Sequence, residues 1–452
     1  MGAWSRVNFS RLYSSLRLDA EFYEPRYLES ESEVLRHPTR RLVDLALKID
    51  VGHVGSMVSR YREEGVLLLQ TRNVRPFFLD TDDCVNIDGQ FHELLRKSHV
   101  HRGDILIARS GSFGCAGMYF GERTINSADI IIIQPKSNKV NPLYLLAFIN
   151  SWYGQFQIRR FASGGLQGHV NLTILESLRI PLPPLATQER VAEVVERARG
   201  ANDWASATYC KAERLLLEEL GFGELDLSPT LFYNRGFSET QQVARLDAEF
   251  FEAKYYALIE AIRKTGKGRL LGGIVAHCER GLQPEYDAEG EVAVVNTKHM
   301  GRQFLSDDFE RCSLAAWMKQ KKARLKPYDV LFYSTGAYIG RANCWFGDEK
   351  AIGSNHVTII RPSAECNPVY LSLFMNSRVG VMQAERLAHG SAQREVYPSD
   401  LRAYTVWLPS MKKQEEMGQM VMDSKAALDE SRRLLGEAKR LVEEMVLSGA
   451  QG

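Results

Sequence analysis

Two sets of polar, basic and aromatic residues stand at the junctions of short apolar runs. In the first half they are Arg72, Asn73 and Arg75, then Arg109, Ser110, Ser112 and Phe113, then Gln167 and His169. In the second half they are Lys298, His299 and Arg302, then Ser334, Thr335, Tyr338 and Arg341, then Gln393 and Arg394. Arg, Lys, Asn, Gln and Ser/Thr carry the donor and acceptor geometry that reads base edges in a DNA major groove and holds phosphates. A lone loop arginine is usually only solvated. Recurrence at equivalent places in both halves is what gives the set weight. The run Lys319-Gln320-Lys321-Lys322-Ala323-Arg324 adds a candidate phosphate contact.

Catalytic patterns are missing beside these. The chain has no G-x-x-x-x-G-K-[ST] loop, no H-E-x-x-H and no G-x-S-x-G. Ser163-Gly164-Gly165-Leu166-Gln167-Gly168 lacks the strand-to-helix setting of a dinucleotide site, and its counterpart from His389 to Arg394 lacks the second and third glycines, so it reads as a turn. Asn141-Pro142-Leu143-Tyr144 is similar to the Asn-Pro-Pro-Tyr/Phe motif of amino-methyltransferases, whose aromatic stacks on a flipped adenine. The second proline is absent there and at Asn367-Pro368-Val369-Tyr370, and a capped helix start explains both. The ten histidines show no metal-ligand spacing; His99 and His101, beside Arg96, Lys97 and Arg102, suit a solvated or phosphate-facing loop. The carboxylates are not paired for acid–base work. These residues point to recognition without catalysis, with no metal and no cofactor in this chain.

The elements that position them are written twice. Arg17-Leu18-Asp19-Ala20-Glu21-Phe22-Tyr23-Glu24 returns as Arg245-Leu246-Asp247-Ala248-Glu249-Phe250-Phe251-Glu252, an offset of 228. Gly103-Asp104-Ile105-Leu106-Ile107 returns as Tyr328-Asp329-Val330-Leu331-Phe332 at 225, and Asn141-Pro142, Leu182-Pro183 and Gln188-Glu189 all return at 226. Matches in unchanged order mark a tandem duplication of a unit about 226 residues long, too long for a solenoid repeat. In each unit an opening helix (Ala20 to Leu35; Ala248 to Arg263) precedes short buried strands (Ile105 to Ala108 and Ile130 to Gln134; Val330 to Tyr333 and Val357 to Ile360). A helix then starts at Asn-Pro, a proline corner stops the globular part, and a long helix closes the unit (Thr187 to Leu220; Met411 to Leu447). Val191, Val195, Ala198, Asn202, Ala205, Tyr209, Ala212 and Leu216 form a stripe spaced by fours and threes. Its counterpart is Met417, Val421, Ser424, Leu428, Ser431, Leu435, Ala438, Val442 and Met445. Both read as coiled-coil seams, with the polar members setting register. A helix of ~34 residues at ~1.5 Å each is about 50 Å long.

Composition excludes several classes. The 452 residues are 44% hydrophobic and 25% charged, an ordinary globular balance with room for two or three domains. No apolar run reaches membrane-span length, and Met1 to Ser15 has no apolar core of a secretory signal, so a cytoplasmic location is expected. Seven cysteines without a C-x-x-C pair argue against a disulfide framework or zinc cluster. Residues 186–220 carry five Lys/Arg against seven Asp/Glu, and residues 411–447 seven against eight. The helices thus sum to −3 and, in a chain of net +1, leave +4 elsewhere. That is little for autonomous tight DNA binding, which takes about six to ten phosphate contacts. The basic residues therefore cluster, or partner subunits supply the rest.

This organisation resembles the specificity subunits of type I restriction–modification systems. The resemblance rests on Asp104-Ile105-Leu106-Ile107-Ala108-Arg109-Ser110-Gly111 with its copy Asp329-Val330-Leu331-Phe332-Tyr333-Ser334-Thr335-Gly336, and on Ile180-Pro181-Leu182-Pro183-Pro184-Leu185 followed by Gln188-Glu189. It covers nearly the whole chain through short motifs whose order and duplication are specific. It implies an α+β fold with two target recognition domains (1–185 and 229–410) and two spacer helices (186–228 and 411–452), the helices forming an antiparallel coiled coil with pseudo-two-fold symmetry. It further implies double-stranded DNA as ligand, two methylation subunits and restriction subunits as partners, and S-adenosylmethionine and ATP bound by those partners. The second copy departs at Leu408-Pro409-Ser410, where the first has Leu182-Pro183-Pro184. Ser112-Phe113-Gly114-Cys115 differs from Ala337-Tyr338-Ile339-Gly340-Arg341, which predicts a split DNA site with unlike halves. A helix of about 50 Å caps the spacing of those halves at about 15 base pairs of ~3.4 Å. A stand-alone two-headed DNA-binding regulator and a specificity subunit of another defence or modification complex are the alternatives. The repeated opening segment has no role legible in sequence.

Overall fold

The computed structural model describes residues 5–8, 18–81, 83–110, 114–162, 170–228, 232–243, 245–390 and 393–449. The chain is α+β and divides into two compact units, Met1–Ala201 with Asp429–Gly452, and Asn202–Leu428.

The first unit is built on a four-stranded antiparallel sheet in the order Ala46–Val51, Ile130–Pro135, Ile105–Ala108, Ala116–Met118. Ile131 and Ile133 face one core, with Ile105, Ile107 and the helix Pro142–Asn150. Ile130 and Ile132 face another, with Leu106, Leu69 and Val74. Successive side chains of a strand alternate faces, so covering both faces explains why this strand reads as an unbroken apolar run. A five-stranded mixed sheet lies beside it, ordered Tyr61–Arg62, Val85–Ile87, Val66–Gln70, Ile125–Ala128, His99–Val100. The helices Trp152–Ala162 and Pro25–Val34 close the layer.

In the second unit the four-stranded order is Val275–Arg280, Val357–Pro362, Val330–Tyr333, Ala342–Cys344. Val330, Phe332 and Ile360 face one core, and Leu331, Val357 and Ile359 the other. Among the described residues the second sheet has three strands, Glu310–Cys312, Val292–Val295 and Ala351–Gly353.

The opening segment departs from the expected continuous helix. Ala20–Tyr23 is a 3₁₀ turn, Glu24 is extended (φ −53°, ψ 140°), and the α-helix starts at Pro25. Pro25 disfavours the α region at Glu24 and so reinforces the break without being required for it. The second copy breaks in the same place at Glu252 (φ −55°, ψ 137°) although Ala253 follows.

The long helices run Leu185–Glu219 and Met411–Ser448. In the first unit Val191, Val195 and Ala198 share a core with Leu434, Ala438, Val442 and Val446, and Ser431 Oγ donates to the Ala198 carbonyl at 2.7 Å. In the second unit Tyr209, Ala212 and Leu216 share a core with Met417 and Val421. There Ser424 Oγ donates to the Ala205 carbonyl at 2.7 Å, while Lys413 pairs with Glu219, so the paired segments run antiparallel. The stripe shifts toward the C-terminal end of the second helix. Leu434 and Val446 are buried where Leu435 and Met445 were expected, and Leu428 and Leu435 are partly buried on the flank. A straight helix at 3.6 residues per turn drifts against a 3.5-residue pattern. Six of the seven free cysteines are buried or half-buried.

Candidate functional site

The second unit brings three candidate loops together. After the strand Val292–Val295 comes the turn Thr297–His299, closed by a reciprocal cap. Asn296 Oδ1 accepts from the Lys298 amide at 3.0 Å, and His299 Nδ1 accepts from the Asn296 amide at 3.0 Å. The next loop leaves the strand Val330–Tyr333, and the Arg341 guanidinium that ends it lies 3.7 Å over the Tyr338 ring and donates to the Met300 carbonyl at 3.3 Å. The third is joined at the Gly336 amide, which donates to the Arg394 carbonyl at 3.2 Å, and at the Thr335–Glu395 bridge. Lys298, Arg302, Tyr338, Gln393 and Arg394 are exposed on these loops, with Arg341 half-buried among them.

A residue not expected from sequence stiffens this face. Arg280 pairs with Glu395, donates to the Val396 carbonyl at 3.1 Å and stacks 5.4 Å from the Tyr397 ring. Tyr397 Oη donates to Glu395 at 3.0 Å. Arg280 and Glu395 lie 115 residues apart, so no local pattern signalled them.

Four candidates point inward and leave the list of readers. Asn73 is 1% exposed; its Oδ1 accepts from the Gln70 amide at 2.8 Å and its Nδ2 donates to the Asp83 carbonyl at 3.1 Å. His299 takes the same place and is equally buried. Burial, reinforced by Lys298, holds its imidazole below the ordinary value. Ser334 is sealed against Thr358 at 2.6 Å, and Thr335 is buried beside Glu395. A polar side chain that suits a base edge equally suits a backbone cap, as at Asn73 and His299, or a side-chain partner, as at Ser334 and Thr335.

In the first unit Arg72 and Arg75 are half-exposed, paired loosely at 3.6 Å with Asp83 and Asp80. Gly117 lets their loop lie on the sheet: a Cβ there would meet the Phe78 carbonyl at 2.3 Å. Arg109 is mostly committed to structure, donating to Asp129 at 2.6 Å and to the Val170 carbonyl at 3.4 Å. Ser110 is half-buried next to it. Ser112, Phe113, Gln167 and His169 lie outside the described residues. Within the basic run, Arg324 packs 3.9 Å over Trp317 and donates to the Trp317 and Met318 carbonyls, while Lys319, Lys321 and Lys322 are exposed.

The Asn-Pro segments are structural. Asn141 Oδ1 accepts from the Leu143 and Tyr144 amides, and the fully buried Tyr144 donates to the Pro181 carbonyl at 2.8 Å. Gln188, of the proline corner motif, joins this cap to the long helix. Its Oε1 accepts from the Asn141 amide at 2.9 Å and its Nε2 donates to the Pro183 carbonyl at 3.0 Å. Gln414 does the same with Asn367 and Pro409 at 2.8 and 2.9 Å, and Tyr370 donates to the Trp407 carbonyl at 2.6 Å.

Residues 78–202 match the family described as the type I restriction modification DNA specificity domain. The match spans less than half of the chain and marks a likeness over that stretch. The matched stretch contains Arg109 and the Asn141–Gln188 staple, and begins just after Arg75. Over 109 residues the chain is 30% identical to the MjaX specificity subunit described for a type I restriction enzyme of Methanocaldococcus jannaschii. That alignment covers 23% of this chain and 26% of the relative, so the chain matches about a quarter of that protein's length. Among solved structures, the S subunit of a type I restriction–modification system from M. genitalium aligns at 11% identity and TM-score 0.39, covering 91% of this chain and 95% of that one. The HsdS subunit from Thermoanaerobacter tengcongensis aligns at 15% identity and TM-score 0.28, with 91% and 95% covered. No helix among the described residues is long and apolar enough to cross a membrane.

Proposed function

We propose that the chain is the DNA sequence-specificity subunit of a type I restriction–modification complex. The observation that carries this reading is the specificity-domain match over residues 78–202, whose Asn141–Gln188 staple recurs as Asn367–Gln414 in the second unit. On this reading the units are duplicated target recognition domains, each reading one half of a split double-stranded DNA site. The long helices are antiparallel coiled-coil spacers that fix the interval between halves. The chain holds no catalytic group of its own. Two methylation subunits bring S-adenosylmethionine and adenine chemistry, and restriction subunits bring ATP-driven cleavage. The exposed Lys298, Arg302, Tyr338, Gln393 and Arg394, with the half-buried Arg341, would read the second half-site, and Arg72 and Arg75, with Arg109 positioned by Asp129, would serve the first.

The test is to co-express the chain with its methylation subunit and map methylated adenines genome-wide. A single split motif with unlike halves is the expected result. No complex and no methylation, with sequence-specific binding by the isolated chain, would replace this reading with a stand-alone regulator.

A further inference from the structure

The second unit is an internal control for what the scaffold of the first requires. In the first unit the helices Pro25–Val34 and Trp152–Ala162 and the C-terminal end of the helix Met411–Ser448 border a cavity of about 360 Å³. Glu29, Ser30, Glu33, Trp152, Phe156 and Glu443 line it. At the corresponding places the second unit has Ala257, Leu258, Ala261, Arg378, Met382 and Leu217. The helices Ala253–Lys264 and Arg378–Leu387 form there all the same, with Leu258 buried in the core. Folding of this helix pair therefore needs none of the carboxylates, the hydroxyl or the indole.

The chain leaves this wall unsatisfied. Ser30 is 5% exposed, and its Oγ has no hydrogen-bond partner among the described residues. A buried hydroxyl in that state costs stability unless a ligand completes it. Glu33 accepts from Tyr153 Oη at 2.7 Å and Glu443 from the Trp152 amide at 2.8 Å. Among the described residues no Lys or Arg pairs with Glu29, Glu33 or Glu443. Burial, reinforced by the Glu33 and Glu443 carboxylates, holds the Tyr153 hydroxyl above its ordinary value. Arg36 acts against that field and Arg26 is neutralised by Glu24 at 2.6 Å, so negative charge stays in excess. Beside the carboxylates the Trp152 ring, 56% exposed, packs 3.9 Å from the Phe156 ring. The Arg26 guanidinium lies 5.9 Å from Phe156, so this aromatic face already takes a cation.

Unpaired carboxylates beside an aromatic face suit an organic ammonium. The acids pair with its charge, and the ring faces attract it through their quadrupole. A hydrated metal ion gains nothing from an indole, whereas ammonium groups joined by methylenes use both walls. We infer that this cavity binds a linear polyamine. One ammonium would sit between Glu29 and Glu33, which stand one helical turn apart, and another at Glu443. The methylenes would lie on Trp152 and Phe156, with one N–H donated to Ser30 Oγ. Such binding is separate from DNA reading, since none of the candidate reading residues lines the cavity.

The test is isothermal titration calorimetry of the full chain with spermidine at about 0.15 M salt, where screening suppresses loose pairing with surface acids. A single saturable site is expected. Trp152→Ala should weaken it about tenfold, and Glu29→Gln with Glu33→Gln by more than about tenfold. Ser30→Leu, which installs the second unit's residue, should abolish binding and keep or raise the melting temperature. No saturable binding by the wild-type chain would overturn the inference. Equal affinity in Trp152→Ala would also overturn it, because attraction to acids alone would then suffice, and so would displacement of spermidine by Mg²⁺ at equal concentration. If Ser30→Leu fails to fold, Glu29→Ala with Trp152→Arg gives the readout, since both side chains are exposed and both replacements occur in the second unit. Lost binding in that variant supports the polyamine site, and retained binding overturns it.

Discussion

Asn73 and His299 fill the same cap with different chemistry, and the difference makes the second unit sensitive to pH. The neutral His299 ring accepts a backbone hydrogen bond through Nδ1, and burial depresses its pKa below 6.5. The folded state then binds fewer protons than the unfolded state as pH falls. The stabilisation is complete above pH 6.5 and is lost below it, with a slope of at most about 1.4 kcal/mol per pH unit. His299→Asn, which installs the first unit's solution, should flatten the loss of melting temperature between pH 7 and 5, and Asn73→His should create such a loss in the first unit. A second contrast concerns the buried Asp329, held bidentately by Arg361 at 2.6 and 2.7 Å. The equivalent Asp104 accepts from the His101 amide, as Asp329 does from the Lys326 amide at 2.8 Å, and burial raises its carboxyl. Arg361→Met strands the Asp329 carboxylate and should cost roughly 2–4 kcal/mol in denaturant unfolding, since the arginine is partly solvated. Residue types mark these loops as candidates, but the direction of each side chain is not legible in them. Asn, His, Ser and Thr serve caps and base edges alike, and only the three-dimensional partner distinguishes Asn73 from a reader.

Elements were more legible than side chains. The strands Ile105–Ala108 and Val330–Tyr333 and the helices begun by Asn141 and Asn367 follow the sequence pattern closely, because a doubly buried strand and an Asn-Pro cap each have one dominant signature. The opening segment looks like one helix in sequence because its apolar spacing continues across Glu24, where the backbone breaks. The role of the proline corner was hidden for another reason: Gln188 and Gln414 act on amides 47 residues upstream. These glutamines couple each long helix to the helix beneath the sheet. Gln414→Leu would leave the Asn367 amide and the Pro409 carbonyl without their partner, at about 1–3 kcal/mol. Hydrogen exchange should show the Asn367 amide losing protection, with no change at Asn141. Equal loss of protection at both positions would contradict the staple as a local joint.

At the scale of the molecule, a formal charge of +1 makes recognition depend on where the cations stand. On the proposed function, two units with unlike loops would each read their half of the DNA site independently. Lys298, Arg302, Arg341 and Arg394 belong to the second unit, and Arg72 and Arg75 to the first. A base contact is worth about 1–3 kcal/mol of discrimination, whereas loss of a phosphate contact weakens all sequences together and lowers the salt slope by about one. Arg341 is the strongest candidate for a base contact, because Tyr338 stacking and the Met300 carbonyl fix its direction. Arg341→Ala should therefore relax one or two positions of a single half-site by roughly 10- to 100-fold, and leave the other half of the methylated motif intact. Lys321→Ala with Lys322→Ala should instead lower methylation at every site and leave the motif unchanged. Genome-wide methylation mapping separates the two outcomes. If Arg341→Ala degraded both halves equally, independent reading by the two units would be wrong, and the loops would have to act on DNA as one surface.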